Sequence, residues 1–285
     1  MANGNKANIP ELAYRNLRFM ESAEARTLRI AAEYADPMTR MRRAGVQHTV
    51  VFFGSARILP RSVADEKLRE LEMRAKDGSV SALQADLKRA RMDVHMSRYY
   101  EDARQLSGLI TKWAMTLHTN PRFLVVCSGG GPGIMEAANR GASEAGGKSI
   151  GFNIMLPMEQ SPNPYISPEL SMTFRYFFMR KLWFAQPAQA LIVFPGGFGT
   201  MDEMFEFLTL IQTRKMGHRV TILLYGSKFW KRAVNFGWLM ESGTISRDDL
   251  KLIRFVDSPE QAFEIVKGEL GQRLGVRPVV KHPFF

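Results

Sequence analysis

Short apolar runs alternate with longer mixed stretches along most of this chain. The runs are 48–54 (HTVVFFG), 122–127 (RFLVVC), 148–154 (KSIGFNI), 189–194 (QALIVF), 219–225 (RVTILLY) and 252–256 (LIRFV), with a shorter one near 171–175. Each is too short for a helix, and 48–54, β-branched and aromatic up to its glycine, has the pattern of a buried strand of a parallel sheet. Helix-favouring stretches lie between them: 99–118, from SGGGPG to about 145, FFMRKLWFA, MDEMFEFLTLIQT, 227–241, and a last one from Pro259. Strands alternating with helices of that length predict an α/β chain with a mostly parallel sheet covered on both faces.

Two segments fall outside this alternation. Residues 8–45 read as a helical lead-in, with Leu12, Leu17, Leu28 and Ile30 scattered among charges and an expected end near Asp36-Pro37. Residues 60–105 form a charge-rich helical insertion whose Lys/Glu alternation reads as a solvated face with i,i+4 pairs. The expectation is one domain over 1–285: an N-terminal extension (1–47), an α/β core (48–257) and a C-terminal helix with a tail (258–285).

Composition narrows the classes. With 285 residues, 45% apolar and 24% charged, the chain has the balance of a globular protein. It has no run of eighteen apolar residues, and MANGNKANIPELAYRNL lacks an apolar signal core, so neither a membrane span nor secretion is expected. One cysteine, Cys127, gives no disulfide and no ligand spacing, which fits a cytoplasmic location. The histidines show no paired ligand spacing, so no metal is expected. The net charge of +11 is spread without a basic block, which speaks against a nucleic-acid partner.

The chemistry gathers at two glycine turns, Ser128-Gly129-Gly130-Gly131-Pro132-Gly133 and Pro195-Gly196-Gly197-Phe198-Gly199-Thr200, each placed after an apolar strand and before a helix. Glycines there let the backbone approach a ligand, and exposed N–H groups at a helix N-terminus attract an anion. One such turn serves strand–helix packing as readily as binding; two at strand ends of one sheet point to a nucleotide. G-x-G-x-x-G would need glycine at Glu136, and the P-loop pattern would need one at Ala142, so neither NAD nor ATP is indicated. A mononucleotide with one phosphate remains.

Glu203 follows Thr200 by three positions and has two readings. T-x-x-E is a capping box; a carboxylate beside the phosphate end of a site also stabilises or hydrates an oxocarbenium-like sugar. Arg180 and Lys181, set among aromatics, are either a phosphate or ribose clamp or bases snorkelling from a buried edge.

At these residues the sequence resembles the Lonely Guy family of phosphoribohydrolases, whose members release a free base from nucleoside 5′-monophosphates. The family's P-G-G-x-G-T-x-x-E stands as Pro195–Glu203, its arginine–lysine pair as Arg180-Lys181, its early G-S motif as Gly54-Ser55, and its central glycine motif as residues 129–136. The resemblance implies a doubly wound, Rossmann-like fold, Arg180 and Glu203 as the catalytic pair, and a phosphate held over 196–200. It further implies substrate contacts from Gly196, Gly197, Gly199, Thr200, Lys181, Gly130, Gly131, Met135, Glu136 and Ser55. A homodimer or higher homo-oligomer with the site at its interface is expected, with AMP or an N6-modified AMP as substrate and no cofactor. A non-catalytic nucleotide sensor or carrier on the same fold is the alternative. Relatives are often labelled lysine decarboxylases, yet no lysine here has the context of a pyridoxal phosphate Schiff base.

Overall fold

The computed structural model describes residues 11–77, 80–117, 123–157 and 161–274. Seven strands form one sheet: β1 (His48–Phe53), β2 (Leu124–Ser128), β3 (Ser149–Ile154), β4 (Ser171–Phe174), β5 (Ala188–Val193), β6 (Thr221–Tyr225) and β7 (Ile253–Val256). Their order is β4-β3-β2-β1-β5-β6-β7, and every pairing is parallel. All residues of β1, β2, β5 and β6 are buried, which is why these runs are unbroken in the sequence.

Alternate residues of the same strands serve two cores. Val51, Phe53, Leu191 and Val193 face one way, against α2 (Arg26–Ala44), α7 (Phe177–Ala185) and α8 (Phe198–Gln212). Val50, Phe52 and Ile192 face the other way, against α5 (Arg98–Ala114), α6 (Ile134–Glu144) and α11 (Pro259–Leu274). The sheet is thus covered on both faces, Rossmann-like and doubly wound. From β1 the chain steps outward through β4, then crosses back to place β5 on the other side of β1. In such sheets the crevice for a ligand opens at this reversal, beyond the carboxyl ends of the strands.

The N-terminal part is helical, with α1 (Leu17–Glu21) ahead of α2. The expected end near Asp36-Pro37 is corrected: α2 runs through Pro37 to Ala44. Proline has no N–H for the carbonyl four residues back, which belongs to Glu33. The Trp183 indole N–H donates to that carbonyl at 3.1 Å, so the helix continues without an orphaned acceptor.

The insertion supplies α3 (Arg61–Asp77) and α4 (Val80–Met96), joined by ion pairs that include Arg61–Asp65 within a helix and Lys67–Asp93 between them, both at 2.8 Å. The helix expected over 227–241 is two: α9 (Ser227–Ala233) and α10 (Phe236–Glu241). They are separated where the Asn235 side chain accepts the Trp238 N–H. Residues 118–122, which include the start of the expected strand 122–127, and the tail from 275 lie outside the described residues. Among the described residues no helix is long and apolar enough to cross a membrane.

Candidate active site

A cleft of about 630 Å³ opens at the reversal point. Its walls come from the loop after β1 (Ser55, Ala56, Arg57), the turn after β2 (Gly129, Gly131) with Met135 of α6, the end of β3 (Asn153, Ile154), α7 and the start of α8. Backbone hydrogen bonds fix these parts together. The Ser55 N–H donates to Pro195 O at 3.0 Å, and the Ile134 N–H donates to Ser55 O at 3.1 Å. The β1 loop is therefore pinned between the two glycine turns.

Helix α8 begins at Phe198 behind Gly197, with no side-chain cap. The capping-box reading of Thr200 and Glu203 is thereby corrected: both residues lie inside the helix, and Glu203 is free of backbone duty. The first N–H groups of α8 have no intrahelical acceptors and stand at the positive end of the helix dipole. Thr200 is buried against Gly196, where a Cβ would lie 2.1 Å from its hydroxyl oxygen. Any side chain at Gly196 would push that hydroxyl aside.

Below this helix end lies Glu203, 3% exposed. Its Oε1 is 3.8 Å from Arg180 Nη2 and 3.9 Å from Lys181 Nζ, too long for hydrogen bonds. Glu203 Oε2 and Arg180 Nε are both buried with no hydrogen-bond partner. Burial pushes the Glu203 carboxyl up to about 7, against the pull of Lys181 and Arg180, while Glu206 and Asp202 add to the rise. Burial also lowers the Arg180 guanidinium, opposed by the two nearby carboxylates. Arg180 is held in place by ring faces, with Phe177 and Phe184 at 5.3 and 5.6 Å from its guanidinium carbon. Lys181 is occupied elsewhere, bonded to Asp202 at 2.8 Å and Glu206 at 2.7 Å. Burial opposes its charge, but these two partners raise its pKa overall.

Of the residues singled out in the sequence, Arg180, Glu203, Gly197, Gly199, Thr200, Gly131, Met135 and Ser55 line the cleft. Four do not. Gly196 and Gly130 stand behind it, the latter with φ 73° and its open side filled by the Asn153 carboxamide. Lys181 faces its carboxylate partners, and Glu136 accepts the Tyr100 hydroxyl at 2.6 Å. Arg57, Asn153, Leu156, Phe177 and Phe198 line the cleft without having been singled out. The position of Arg57 two residues after the G-S motif was a usable signal; the others come from separate strands and helices with no shared spacing. Ahead of β4, Asn163 ties the chain to the first glycine turn: its carboxamide donates to Gly130 O and Gly131 O, both at 3.1 Å.

Residues 135–266 match the family model described as "possible lysine decarboxylase", the label that Lonely Guy relatives often carry. Over that span, a little under half of the chain, the sequence is similar to that family. The matched span holds Arg180, Lys181 and the whole of Pro195–Glu203; the G-S motif lies before it. A search of curated proteins returns no match. Solved structures with a similar chain trace include a molybdenum cofactor binding protein from Rippkaea orientalis, at 20% identity and TM-score 0.43, covering 60% of this chain and 88% of that one. Another is the molybdenum cofactor carrier protein from Chlamydomonas reinhardtii, at 16% identity and TM-score 0.44, covering 79% and 99%.

The label's chemistry meets poor ground in the cleft. Amino-acid decarboxylation through pyridoxal phosphate needs a lysine to form the Schiff base. No lysine is among the residues that line the cleft, and Lys181, beside it, is tied into two carboxylates. The residues present do not fit that cofactor.

Proposed function

We propose that the cleft binds a purine nucleoside 5′-monophosphate, AMP or an N6-modified AMP, and hydrolyses its N-glycosidic bond. The phosphate sits on the free N–H groups of α8 and the Thr200 hydroxyl, an anion site by helix geometry. Arg180, buried and already held by two rings, orients phosphate and ribose. Water adds to C1′ as the bond from C1′ to the base nitrogen breaks. The base nitrogen takes a proton from solvent as it leaves, and ribose 5-phosphate remains. Glu203 stabilises the positive charge that develops at C1′ and takes the proton of the attacking water. A carboxyl poised near 7 suits that exchange at neutral pH. Neither a metal nor an organic cofactor enters these steps.

The observation that carries this reading is the pair of buried atoms without partners, Glu203 Oε2 and Arg180 Nε, at the floor of a cleft that begins with a helix N-terminus. Buried polar groups left unsatisfied call for a reason, and a ligand with charge to be stabilised supplies one. The same reading places a second copy of the chain against α7 and α8, where Phe177, Phe178, Leu182 and Phe205 are exposed beside the cleft.

The test is chromatographic. Purified protein incubated with nucleoside 5′-monophosphates, N6-isopentenyl-AMP included, is expected to release the free base from AMP or its N6 derivative and not from adenosine. No release from any of them overturns the proposal.

A further inference from the structure

The helix that carries Arg180 is gripped by a helix of the N-terminal extension, and the grip centres on one residue, Glu33. The Glu33 carboxylate accepts the backbone N–H groups of Arg175 at 2.8 Å and Tyr176 at 3.3 Å. Those two residues are the whole turn between β4 and α7. Tyr176 flanks α7 at its N-terminus and offers no side-chain cap of its own, so the carboxylate also brings negative charge to the positive end of that helix. The Glu33 carbonyl accepts the Trp183 indole N–H at 3.1 Å, near the other end of α7. That carbonyl is open to an outside donor because Pro37 has no N–H to return to it. Arg29, one turn earlier on α2, donates from Nε to the Tyr176 hydroxyl at 3.1 Å and from Nη1 to the carbonyls of Met20 and Ser22.

We propose that Glu33 is a positioning residue for the cleft: with Pro37 it makes α2 a brace that sets where α7 presents Arg180 and Phe177. The brace acts on both ends of a nine-residue helix that lends Phe177 and Arg180 to the cleft wall. Arg180 makes no hydrogen bond to Glu203 that would hold it from the cleft side, so its placement depends on how α7 is seated. Glu33 touches no ligand; it acts through α7. The inference rests on the hydrolytic reading for its kinetic consequence, and on geometry alone for its effect on α7.

Glu33→Ala, Glu33→Gln and wild-type protein would be compared by steady-state kinetics on AMP and by amide hydrogen exchange. Glu33→Ala is expected to lower kcat roughly tenfold or more with KM changed by less than about threefold, since a misplacement of about 1 Å costs up to 10²-fold. Glu33→Gln keeps an acceptor oxygen for the turn and is expected to recover most of that loss. Amides of 177–185 are expected to exchange faster in Glu33→Ala while those of β5 stay unchanged. Unchanged kcat in Glu33→Ala, or unchanged exchange in α7, overturns the brace. If Glu33→Ala does not fold, Trp183→Phe, which removes the indole donor together with part of a buried ring, is expected to show faster exchange at the end of α7. No change there overturns the brace. A wild-type protein without turnover sinks the hydrolytic reading alone, and the exchange comparison still decides the brace.

Discussion

At Glu203 two forces on a carboxylate compete, and burial wins. Arg180 and Lys181 favour the ionised form, but at 3.8 and 3.9 Å neither donates a hydrogen bond, and the group is almost without solvent. Its carboxyl titrates near 7 when folded against an ordinary 4.5. The folded chain thus binds this proton more tightly than the unfolded one. Glu203 accordingly supports the fold fully below about pH 4.5, and that support is lost as pH rises through about 7. Glu203→Gln should therefore melt like wild type near pH 4.5 and be more stable at pH 8, by on the order of 1–3 kcal/mol. Equal melting differences at both pH values would mean that the carboxyl is not perturbed. The residue itself was legible in the motif. Its freedom from capping was not, because T-x-x-E spells the same letters whether a helix starts at Thr200 or two residues before it.

Among the elements, the start of α8 and the seating of α7 decide the site. Gly196 yields the space in which the Thr200 hydroxyl sits, so Gly196→Ala is expected to displace that hydroxyl and raise KM for AMP at least about tenfold, the equivalent of about 1.4 kcal/mol of lost binding. The thermal midpoint should move far less than KM; a variant with wild-type KM would remove Thr200 from the phosphate site. Strands and helices were readable from their apolar runs because burial on both faces leaves no polar interruption. Pro37 misled for a reason that is tertiary: proline ends a helix unless something else satisfies the stranded carbonyl, and here Trp183, far along the chain, does so. The break at 234–235 was hidden for the opposite reason, since a lone asparagine cap has little weight beside the flanking aromatics.

On the scale of the whole molecule, the order β4-β3-β2-β1-β5-β6-β7 brings loops from distant parts of the chain to one crevice. Alternation of strands and helices foretold a parallel sheet. It did not foretell that Arg57, Asn153 and Phe177 would meet there, since their convergence depends on strand order and not on spacing. The exposed rings of α7 and α8 belong to this scale too. Phe178 and Phe205 lie outside the cleft lining but on the helices that build it. Replacing both with arginine is expected to lower the mass seen by sedimentation equilibrium from dimer to monomer and to reduce base release with it. A wild-type protein that is monomeric and fully active would remove the second copy from the account.

The claim at the centre is that the buried carboxylate performs chemistry on a nucleotide instead of merely lying beneath it. The most direct measurement follows AMP binding and adenine release together, for wild type and Glu203→Gln. Wild type is expected to bind AMP and release adenine. Glu203→Gln is expected to bind AMP within a few-fold of wild type while release falls by about 10²-fold or more. Tight AMP binding by wild type with no adenine released, or undiminished release by Glu203→Gln, would contradict the claim.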